Sequence, residues 1–194
     1  LHDIRRRHRQ HAIIGAEGTE RSLRTRQGIL QIQQRLDGTD GLGEPNLFDL
    51  ENLKEIVLSG RIYSGYLARA AVLSNLCPRA GVYDTAAACS AIQQWDGTAA
   101  LSSVGLPVWR EFWGNLLSPF SNYWTTPFDV NDPVNTPRGL NTSQSAVHKA
   151  LYDAQTRIEK AGLSFTAPLS EQQHSGVNDT TIPIFGAGGA IGAF

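Results

Sequence analysis

Three arginines close to the start of the chain, Arg21, Arg24 and Arg26, are the residues whose types and spacing could serve a chemical site. An arginine stays protonated, so it cannot act as a general base. Its planar set of N–H donors can instead anchor a carboxylate or hold an active-site amide in place. At helical spacing Arg24 lies one turn before Gly28, whose small size would leave room beside the guanidinium. A structural arginine in a salt bridge is the alternative, and the spacing leaves both open.

The histidines and the glycine-rich segment are not arranged as metal or phosphate sites. No two histidines are spaced as ligands on one helix face, and no Cys-x-x-Cys pair is present, so we expect neither a metal nor a cofactor. Neither a helix nor a Lys-Ser/Thr pair follows Gly186–Gly192, which predicts a tight turn between strands. We expect His148 to face away from the apolar side of its helix. The histidines are His2, His8, His11, His148 and His174.

No serine of this chain stands in the Gly-x-Ser-x-Gly context of an α/β-hydrolase nucleophile. Ser102 and Ser103 lie between Gly97 and Gly105. We expect them to cap a helix that begins near Leu106. The sequence therefore contains no complete catalytic set.

The two cysteines, Cys77 and Cys89, lie at the end of one apolar helix and inside the next. The segment between them contains a turn and a helix start, so a bridge would join two consecutive antiparallel helices. Two buried free cysteines are the alternative, because cysteine behaves as a small hydrophobic residue when reduced. The spacing alone leaves the disulfide and the free thiols open.

Composition limits the classes of function. Of the 194 residues, 41% are hydrophobic and 18% are charged, which suits one domain with a real core. The net charge of −1 excludes a generic nucleic-acid binder, and no apolar run reaches the roughly 18 residues that a membrane span needs. The basic run Arg5–Arg9 could bind nucleic acid, but no aromatic residues interleave it, so we interpret it as a solvated loop.

Six helices are predicted from apolar residues at helical spacing and from capping residues at their ends. Asp49 and Asp84 stand at helix starts as N-caps, and Thr142 or Ser143 would cap the last helix. One face of the first helix carries Ile29, Ile32, Gln33 and Leu36. The predicted helices are 22–36, 50–58, 64–76, 85–95, 106–117 and 144–161.

The rest of the chain is predicted to be loop and short strand. Residues 118–139 contain four prolines and should be irregular. Two short strands, 181–185 and 191–194, should follow a polar loop and flank the glycine turn. A helical layer that ends by entering a sheet is unusual for a complete domain and suits a piece of a larger one.

The two ends of the sequence also favour an internal fragment of a longer protein. The chain begins at Leu1, contains no methionine and ends at Phe194, directly after an apolar, glycine-rich run. Natural C-termini are more often polar and frayed. An apolar end needs a partner strand or a packing surface, which we expect the rest of the protein to provide.

Four segments, taken in order, carry a family resemblance. They are 24–36, 73–95, the Trp95-Asp96-Gly97 turn with Ser103-x-Gly105, and Ile182-Pro183-x-x-Gly186-x-Gly188-x-x-x-Gly192-x-Phe194. The ordered set resembles the penicillin acylase family, which includes the acyl-homoserine lactone acylases and aculeacin-type acylases. The resemblance covers nearly the whole chain, and the order matches the second half of the family's large β-chain.

The resemblance implies an amidohydrolase that removes an acyl chain from an amide of a penicillin, an acyl-homoserine lactone or a related lipopeptide. In this family an N-terminal serine attacks the carbonyl, its own α-amine serves as base, and a downstream asparagine contributes to the oxyanion hole. Arg24 matches by position an arginine that helps to fix the site, with Arg26 as the alternative. The nucleophile Ser and the oxyanion Asn would precede Leu1, so we expect the isolated chain to be inactive.

The resemblance also implies an α+β fold, mostly helical in this fragment. Its helices would form the outer part of an αββα Ntn-hydrolase sandwich, and its last strands would re-enter the sheet. Residues 1–20 would be a loop or linker, 21–162 the helical layer, and 163–194 the loop and sheet strands. The parent would be a bacterial precursor that is exported to the periplasm or secreted and cuts itself, which favours a Cys77–Cys89 disulfide.

The expected partners follow from the same resemblance. They are the remainder of the acylase β-chain, its α-chain and an acylated small-molecule substrate, with neither nucleic acid nor a membrane span. The rival hypothesis is a non-catalytic helical binding or scaffold domain, because no complete catalytic set is present in the chain.

Overall fold

The computed structural model describes residues 18–45, 47–79, 81–117, 122–177 and 180–193, and this part is a mixed α+β structure dominated by helices. The basic run Arg5–Arg9 lies outside these residues, as does most of the predicted linker 1–20. The helices are α1 Leu23–Leu36, α2 Leu50–Leu58, α3 Tyr63–Ala71, α4 Ala86–Gln94, α5 Leu106–Leu116 and α6 Ser145–Lys160. The strands are β1 Trp124–Thr126, β2 Arg138–Leu140, β3 His174–Val177 and β4 Thr180–Pro183. A π-helical turn, Val72–Leu76, extends α3, and 3₁₀ turns cover Leu169–Glu171 and Gly189–Ile191.

The helix starts show where capping chemistry decides the fold. The Asp49 carboxylate accepts a hydrogen bond from an N–H of the first turn of α2, as the sequence predicts, and the Ser22 hydroxyl does the same for α1. The cap predicted at Asp84 is wrong by one residue, because Thr85 holds the N-cap position of α4, although Asp84 accepts from the Ala86 N–H at 3.1 Å.

The cap predicted at α6 is wrong. The Ser143 hydroxyl bonds to the Asn141 side chain at 2.6 Å. Gln144 takes the N-cap position, and its side chain makes no hydrogen bond to the N–H groups of the helix.

The core lies between α4, α5, α6 and the helix formed by α3 and its π-helical turn. Trp95 and Trp109 stack with ring centroids 5.0 Å apart, and Phe112 packs edge-on against Trp109 at 5.4 Å. Both indole N–H groups have partners, because Trp95 donates to the Thr98 carbonyl and Trp109 to the Ser64 hydroxyl. These aromatic side chains are buried and fix α5 against its neighbours.

The Trp95-Asp96-Gly97 turn joins α4 to α5 through a hydrogen-bonded carboxylate. Asp96 accepts bonds from the Thr98 backbone N–H at 2.9 Å and from the Ser103 hydroxyl at 2.8 Å. Ser103 therefore does not cap α5, contrary to the prediction. Gly105 holds the N-cap position with φ +83° and has no side chain to contribute.

Helix α1 buries its polar side and exposes its apolar side. Its buried side chains are Arg26, Gln27, Gln31 and Arg35. Arg35 donates from Nη2 to the Gly43 and Glu44 carbonyls, and its Nη1 lies 3.3 Å from the Asp40 carboxylate, so its buried charge has an acidic partner. The predicted apolar face is the exposed one: Ile29, Ile32 and Leu36 are 37%, 54% and 40% exposed.

The strands differ from the predicted ones. β1 pairs antiparallel with β2, with Trp124 opposite Leu140, inside and just after the segment predicted to be irregular. β3 pairs antiparallel with β4 from His174 opposite Pro183. The predicted strand at 191–194 is wrong, because a 3₁₀ turn leads into Gly192 in the left-handed region at φ +82°. Ala193 forms an isolated bridge with Ile62.

A disulfide joins Cys77 and Cys89, with an S–S distance of 2.05 Å and a Cα–Cα distance of 5.7 Å. Cys77 follows the π-helical turn and Cys89 lies in α4, so the bridge joins two consecutive helices. This pairing confirms the expectation drawn from the family resemblance.

Replacing both cysteines with alanine is expected to destabilise the chain by about 3 kcal/mol, because the bridge restricts a short loop in the unfolded state. For a chain of this size the melting temperature should fall by roughly 6–12 °C. Thermal unfolding followed by circular dichroism measures the effect, with Ser90→Ala in the same helix as a control. If the double variant had the same melting temperature as the oxidised wild type, the bridge would not be stabilising.

His148 is buried, with 4% of its surface exposed. The prediction that it faces away from the apolar side of its helix is wrong. Its ring packs edge-on against Tyr83 at 5.5 Å and faces Gly81, where a Cβ would come within 3.2 Å of it. Its Nε2 has no hydrogen-bond partner among the described residues. Burial, and secondarily the Arg79 charge, lower the pKa of His148.

We therefore expect stability to fall as the pH drops. Because the pKa of His148 is lower in the folded than in the unfolded state, the unfolded chain binds more protons below about pH 6.5. His148→Gln should reduce the loss of urea midpoint between pH 7.5 and pH 5.5, whereas His174→Gln, at an exposed position on β3, should leave it unchanged. Equal pH dependence in the wild type and His148→Gln would show that other groups control acid sensitivity.

Candidate functional site

Arg24 lies in the first turn of α1, and its side chain is exposed. Its Nε donates a 2.8 Å hydrogen bond to the Ala193 carbonyl oxygen. None of the hydrogen bonds among the described residues uses its two Nη nitrogens. The Nε of the guanidinium is thus fixed to the chain, and the two Nη nitrogens are left to donate to another group.

The segment that holds Arg24, around Gly192 and Ala193, packs closely against α1 and α3. Tyr63 donates its backbone N–H to the Gly192 carbonyl at 3.3 Å. A Cβ on Gly192 would lie 2.6 Å from the Tyr63 Cβ and 3.0 Å from the Leu23 Cβ, in a backbone conformation with φ +82° that already favours glycine. Glycine at this position therefore allows the chain to bring the Ala193 carbonyl to Arg24.

Arg26 is buried, and its guanidinium contacts a different part of the chain. Its Nε donates to the Val134 carbonyl at 2.7 Å and its Nη1 to the Pro137 carbonyl at 3.0 Å. Its guanidinium carbon lies 4.9 Å from the centroid of the Tyr63 ring, a cation–π geometry. Arg26 thus fastens the loop before β2 to α1 and α3.

The Arg26 charge influences the acidic groups around it. Burial raises the pKa of the Tyr63 hydroxyl, and the charge and hydrogen bonding of Arg26 oppose that rise. Partial desolvation raises the pKa of Glu20, and the Arg26 charge acts in the opposite direction. This buried cation therefore has anionic or polar neighbours on both sides, which suits a structural role.

These residues can supply hydrogen-bond donors and positive charge. Arg24 can bind an oxygen acceptor or position an amide, whereas the Nε and Nη1 donors of Arg26 are bonded to backbone carbonyls and its Nη2 is buried without a partner among the described residues. The sequence analysis singled out Arg24 and the glycine-rich end separately, and the structure brings them together. It did not identify Tyr63 or the Ala193 carbonyl, since their roles depend on contacts between distant segments and carry no local signal.

Other site types find no support in the part of the chain that the structure describes. In residues 18–45, 47–79, 81–117, 122–177 and 180–193, no group of three or more His, Cys, Asp or Glu side chains is placed to hold a metal ion. Among the same residues, no helix has both the length and the apolar character for a membrane crossing.

Comparison with known proteins decides the family. The family model for penicillin amidase matches residues 8–190, nearly the whole chain. The chain belongs to the penicillin amidase family. This confirms the resemblance drawn from the four ordered segments. In this member of the family, the Trp-Asp-Gly turn and the glycine-rich end are structural links that position α5 and Arg24.

Several relatives are acylases. Aculeacin-A acylase of Actinoplanes utahensis is 35% identical over 94% of this chain, which spans 23% of that relative's length. The acyl-homoserine lactone acylase PvdQ of Pseudomonas syringae pv. syringae is 29% identical over 82% of this chain and 21% of its own length. PvdQ of Pseudomonas putida is 29% identical over 83% and 20%. The chain thus spans between a fifth and a quarter of the relatives it matches.

Proposed function

We propose that this chain is part of the β-chain of an acylase that hydrolyses an acyl amide, of a penicillin, an acyl-homoserine lactone or a related lipopeptide. The observation that carries the proposal is the penicillin amidase match over residues 8–190, together with relatives named as acylases. The attacking group in this proposal is an N-terminal serine, with its α-amine as base and an asparagine in the oxyanion hole, all from outside this chain.

Within this proposal Arg24 is the residue that reaches the site. Its Nε is fixed by the Ala193 carbonyl, and none of the hydrogen bonds among the described residues uses its two Nη nitrogens. A guanidinium held in this way can orient a catalytic amide or carboxylate in the remainder of the β-chain. Arg26, which is 1% exposed and bonded to two backbone carbonyls, is assigned to support of the fold.

The remainder of the β-chain and the α-chain are the proposed partners, and an exposed apolar surface on α1 and α2 supports this. Helix α2 has no buried residue, although Leu50, Leu53 and Val57 recur on one side and are 65%, 49% and 41% exposed. Large apolar side chains left exposed along one side of a helix favour a surface that another part of the protein covers. Ile182, Ile184 and Phe185 are also exposed, which supports entry of the β3–β4 hairpin into the sheet of an αββα sandwich.

The disulfide supports the proposed route of the parent protein. Such bonds persist in oxidising compartments and are rare in the bacterial cytosol. Cys77–Cys89 therefore fits a precursor that is exported to the periplasm or secreted and processed there.

The proposal is tested by amide hydrolysis with the full-length parent after processing, using penicillin V and a long-chain acyl-homoserine lactone. We expect turnover of at least one substrate by the parent and none by the isolated 194-residue chain. The parent with its new N-terminal serine replaced by alanine is the matched negative control. A correctly processed parent without hydrolysis would favour the non-catalytic scaffold, and hydrolysis by the isolated chain would overturn the external nucleophile.

A further inference from the structure

Residues 189–193 contact the Arg24 side chain at two points and are named here the Arg24 holder. The Ala193 carbonyl oxygen accepts the hydrogen bond from the Arg24 Nε at 2.8 Å. A Cβ added to Gly189 would lie 3.5 Å from the same Nε and 3.7 Å from the guanidinium carbon. An added methyl group would thus just touch the guanidinium, and a larger side chain at Gly189 would press on it.

The last residues of the holder are fixed to the core and do not depend on Arg24 for their position. Ile191 and Ala193 are 4% and 1% exposed. Ala193 bridges Ile62, the N-cap residue of α3, and the backbone N–H of Tyr63 donates to the Gly192 carbonyl at 3.3 Å. The start of α3 therefore sets the place of the Ala193 carbonyl, and this carbonyl sets the place of the Arg24 Nε.

Gly192 determines how closely the holder can approach α1 and α3. An added Cβ would lie 2.6 Å from the Tyr63 Cβ and 3.0 Å from the Leu23 Cβ. Two carbon atoms do not pack at 2.6 Å, so a side chain at this position would move the holder away from α3. The Ala193 carbonyl is part of the next residue and would move with it, away from Arg24.

The hydrogen bond to the holder limits the directions that the guanidinium can take. An arginine side chain has several freely rotating bonds, and ordering a side chain of this length has a large entropic cost. A bond to Nε fixes the plane of the guanidinium and so the direction of its Nη nitrogens. A positioning group acts through such fixed geometry, and even a small displacement of it reduces the rate.

We propose that Gly189 and Gly192 are positioning residues of the acylase, which hold the Arg24 guanidinium in one orientation toward a catalytic amide or carboxylate. This inference rests on the role proposed above for Arg24. Neither glycine has a side chain that could exchange a proton or bind a substrate, so we expect both to act on the rate through Arg24.

A double-mutant cycle in the processed parent tests whether Gly192 acts through Arg24. Gly192→Ala should lower kcat by roughly tenfold with little change in KM. In a background of Arg24→Ala the same change should alter kcat by less than about twofold, because the group that it displaces is already absent. Equal losses of kcat in the two backgrounds would overturn the proposal.

Gly162→Ala is the matched control for backbone strain. Gly162 follows α6 with φ +66°, and nothing lies within 4 Å of an added Cβ. This variant introduces the left-handed strain of an alanine without steric overlap and far from the holder in sequence, so its kcat should equal that of the wild type. A tenfold loss of kcat in Gly162→Ala would assign the effect of Gly192→Ala to general strain.

The hydrogen bond of Arg24 can also be measured without activity. In the parent produced with isotope-labelled arginine, the Nε–H signal of Arg24 is the one that Arg24→Ala lacks. Its exchange with solvent should be roughly fivefold faster in Gly192→Ala, the effect of about one lost hydrogen bond, and unchanged in Gly162→Ala. Unchanged exchange in Gly192→Ala would overturn the proposal. The expected exchange in a parent that does not hydrolyse amides would support the holder and contradict the acylase function.

A second variant avoids the left-handed backbone of Gly192. Gly189 lies outside the left-handed region, so Gly189→Val tests pressure on the guanidinium alone. It should lower kcat and speed the Nε–H exchange of Arg24. Gly176→Val, on β3 with nothing within 4 Å of an added Cβ, is the matched control and should leave both unchanged. Wild-type kcat and exchange in Gly189→Val would overturn the role of Gly189.

Discussion

Gly105→Ala is expected to destabilise the protein by roughly 3–5 kcal/mol, because it combines backbone strain with steric overlap. Gly105 has φ +83°, in the left-handed region, where a Cβ meets the following carbonyl. An added Cβ would also overlap the Ala91 carbonyl oxygen of α4 and lie 3.1 Å from the Trp95 Cβ. Relief of this overlap would require α5 to move away from α4.

Gly97→Ala is the matched control for this prediction. Gly97 has the same φ of +83°, but nothing lies within 4 Å of an added Cβ. Its replacement should cost only the backbone strain, about 1–2 kcal/mol. Denaturant unfolding of the two variants beside the wild type gives both values, and equal losses would show that the close approach of Gly105 to α4 is relieved by a small shift of the main chain.

The helices of this protein could be predicted because their signals are local. Asp49 caps α2 through its own side chain, and apolar residues at helical spacing define α6. The cap of α6 could not be predicted, because Ser143 and Asn141 satisfy each other instead of the helix and Gln144 holds the N-cap position. Competition between nearby polar groups is not encoded in spacing.

Which side of α1 is buried could not be predicted from hydrophobicity. Arg26 and Arg35 are buried because carbonyl groups of distant loops accept their hydrogen bonds. Ile29 and Ile32 lie on the opposite side, which the rest of the parent would cover in the proposed assembly. Sequence periodicity identifies two faces of a helix, but the choice between them depends on which partner each face meets.

The contacts of the candidate site could not be predicted from the sequence either. The arginine pair and the glycine-rich end are visible in the sequence, and the family resemblance includes both. Their contact depends on Gly192, which fits between Tyr63 and Leu23 only without a side chain. The sequence therefore indicates which residues are available, and the structure distinguishes the exposed Arg24 from the buried Arg26.

This difference in burial leads to opposite expectations for the two arginines in the processed parent. Arg24→Ala should lower kcat by roughly 10- to 100-fold, since loss of a positioning group misaligns the reacting atoms. KM and the melting temperature should change little, because only one partly buried hydrogen bond, to the Ala193 carbonyl, is lost. Arg26→Ala should instead destabilise the protein by about 2–5 kcal/mol, because the Val134 and Pro137 carbonyls lose buried donors.

Steady-state kinetics and thermal unfolding of the same preparations separate the two roles, provided that processing into two chains is complete. Arg24→Lys keeps the charge but lacks the planar pair of donors, so it should recover only part of the lost kcat if Arg24 orients an amide or carboxylate. Arg138→Ala, exposed on β2, controls for the loss of a surface charge. Full activity in Arg24→Ala would return Arg24 to a structural role. A fall in kcat in Arg26→Ala at an unchanged melting temperature would assign the positioning role to Arg26.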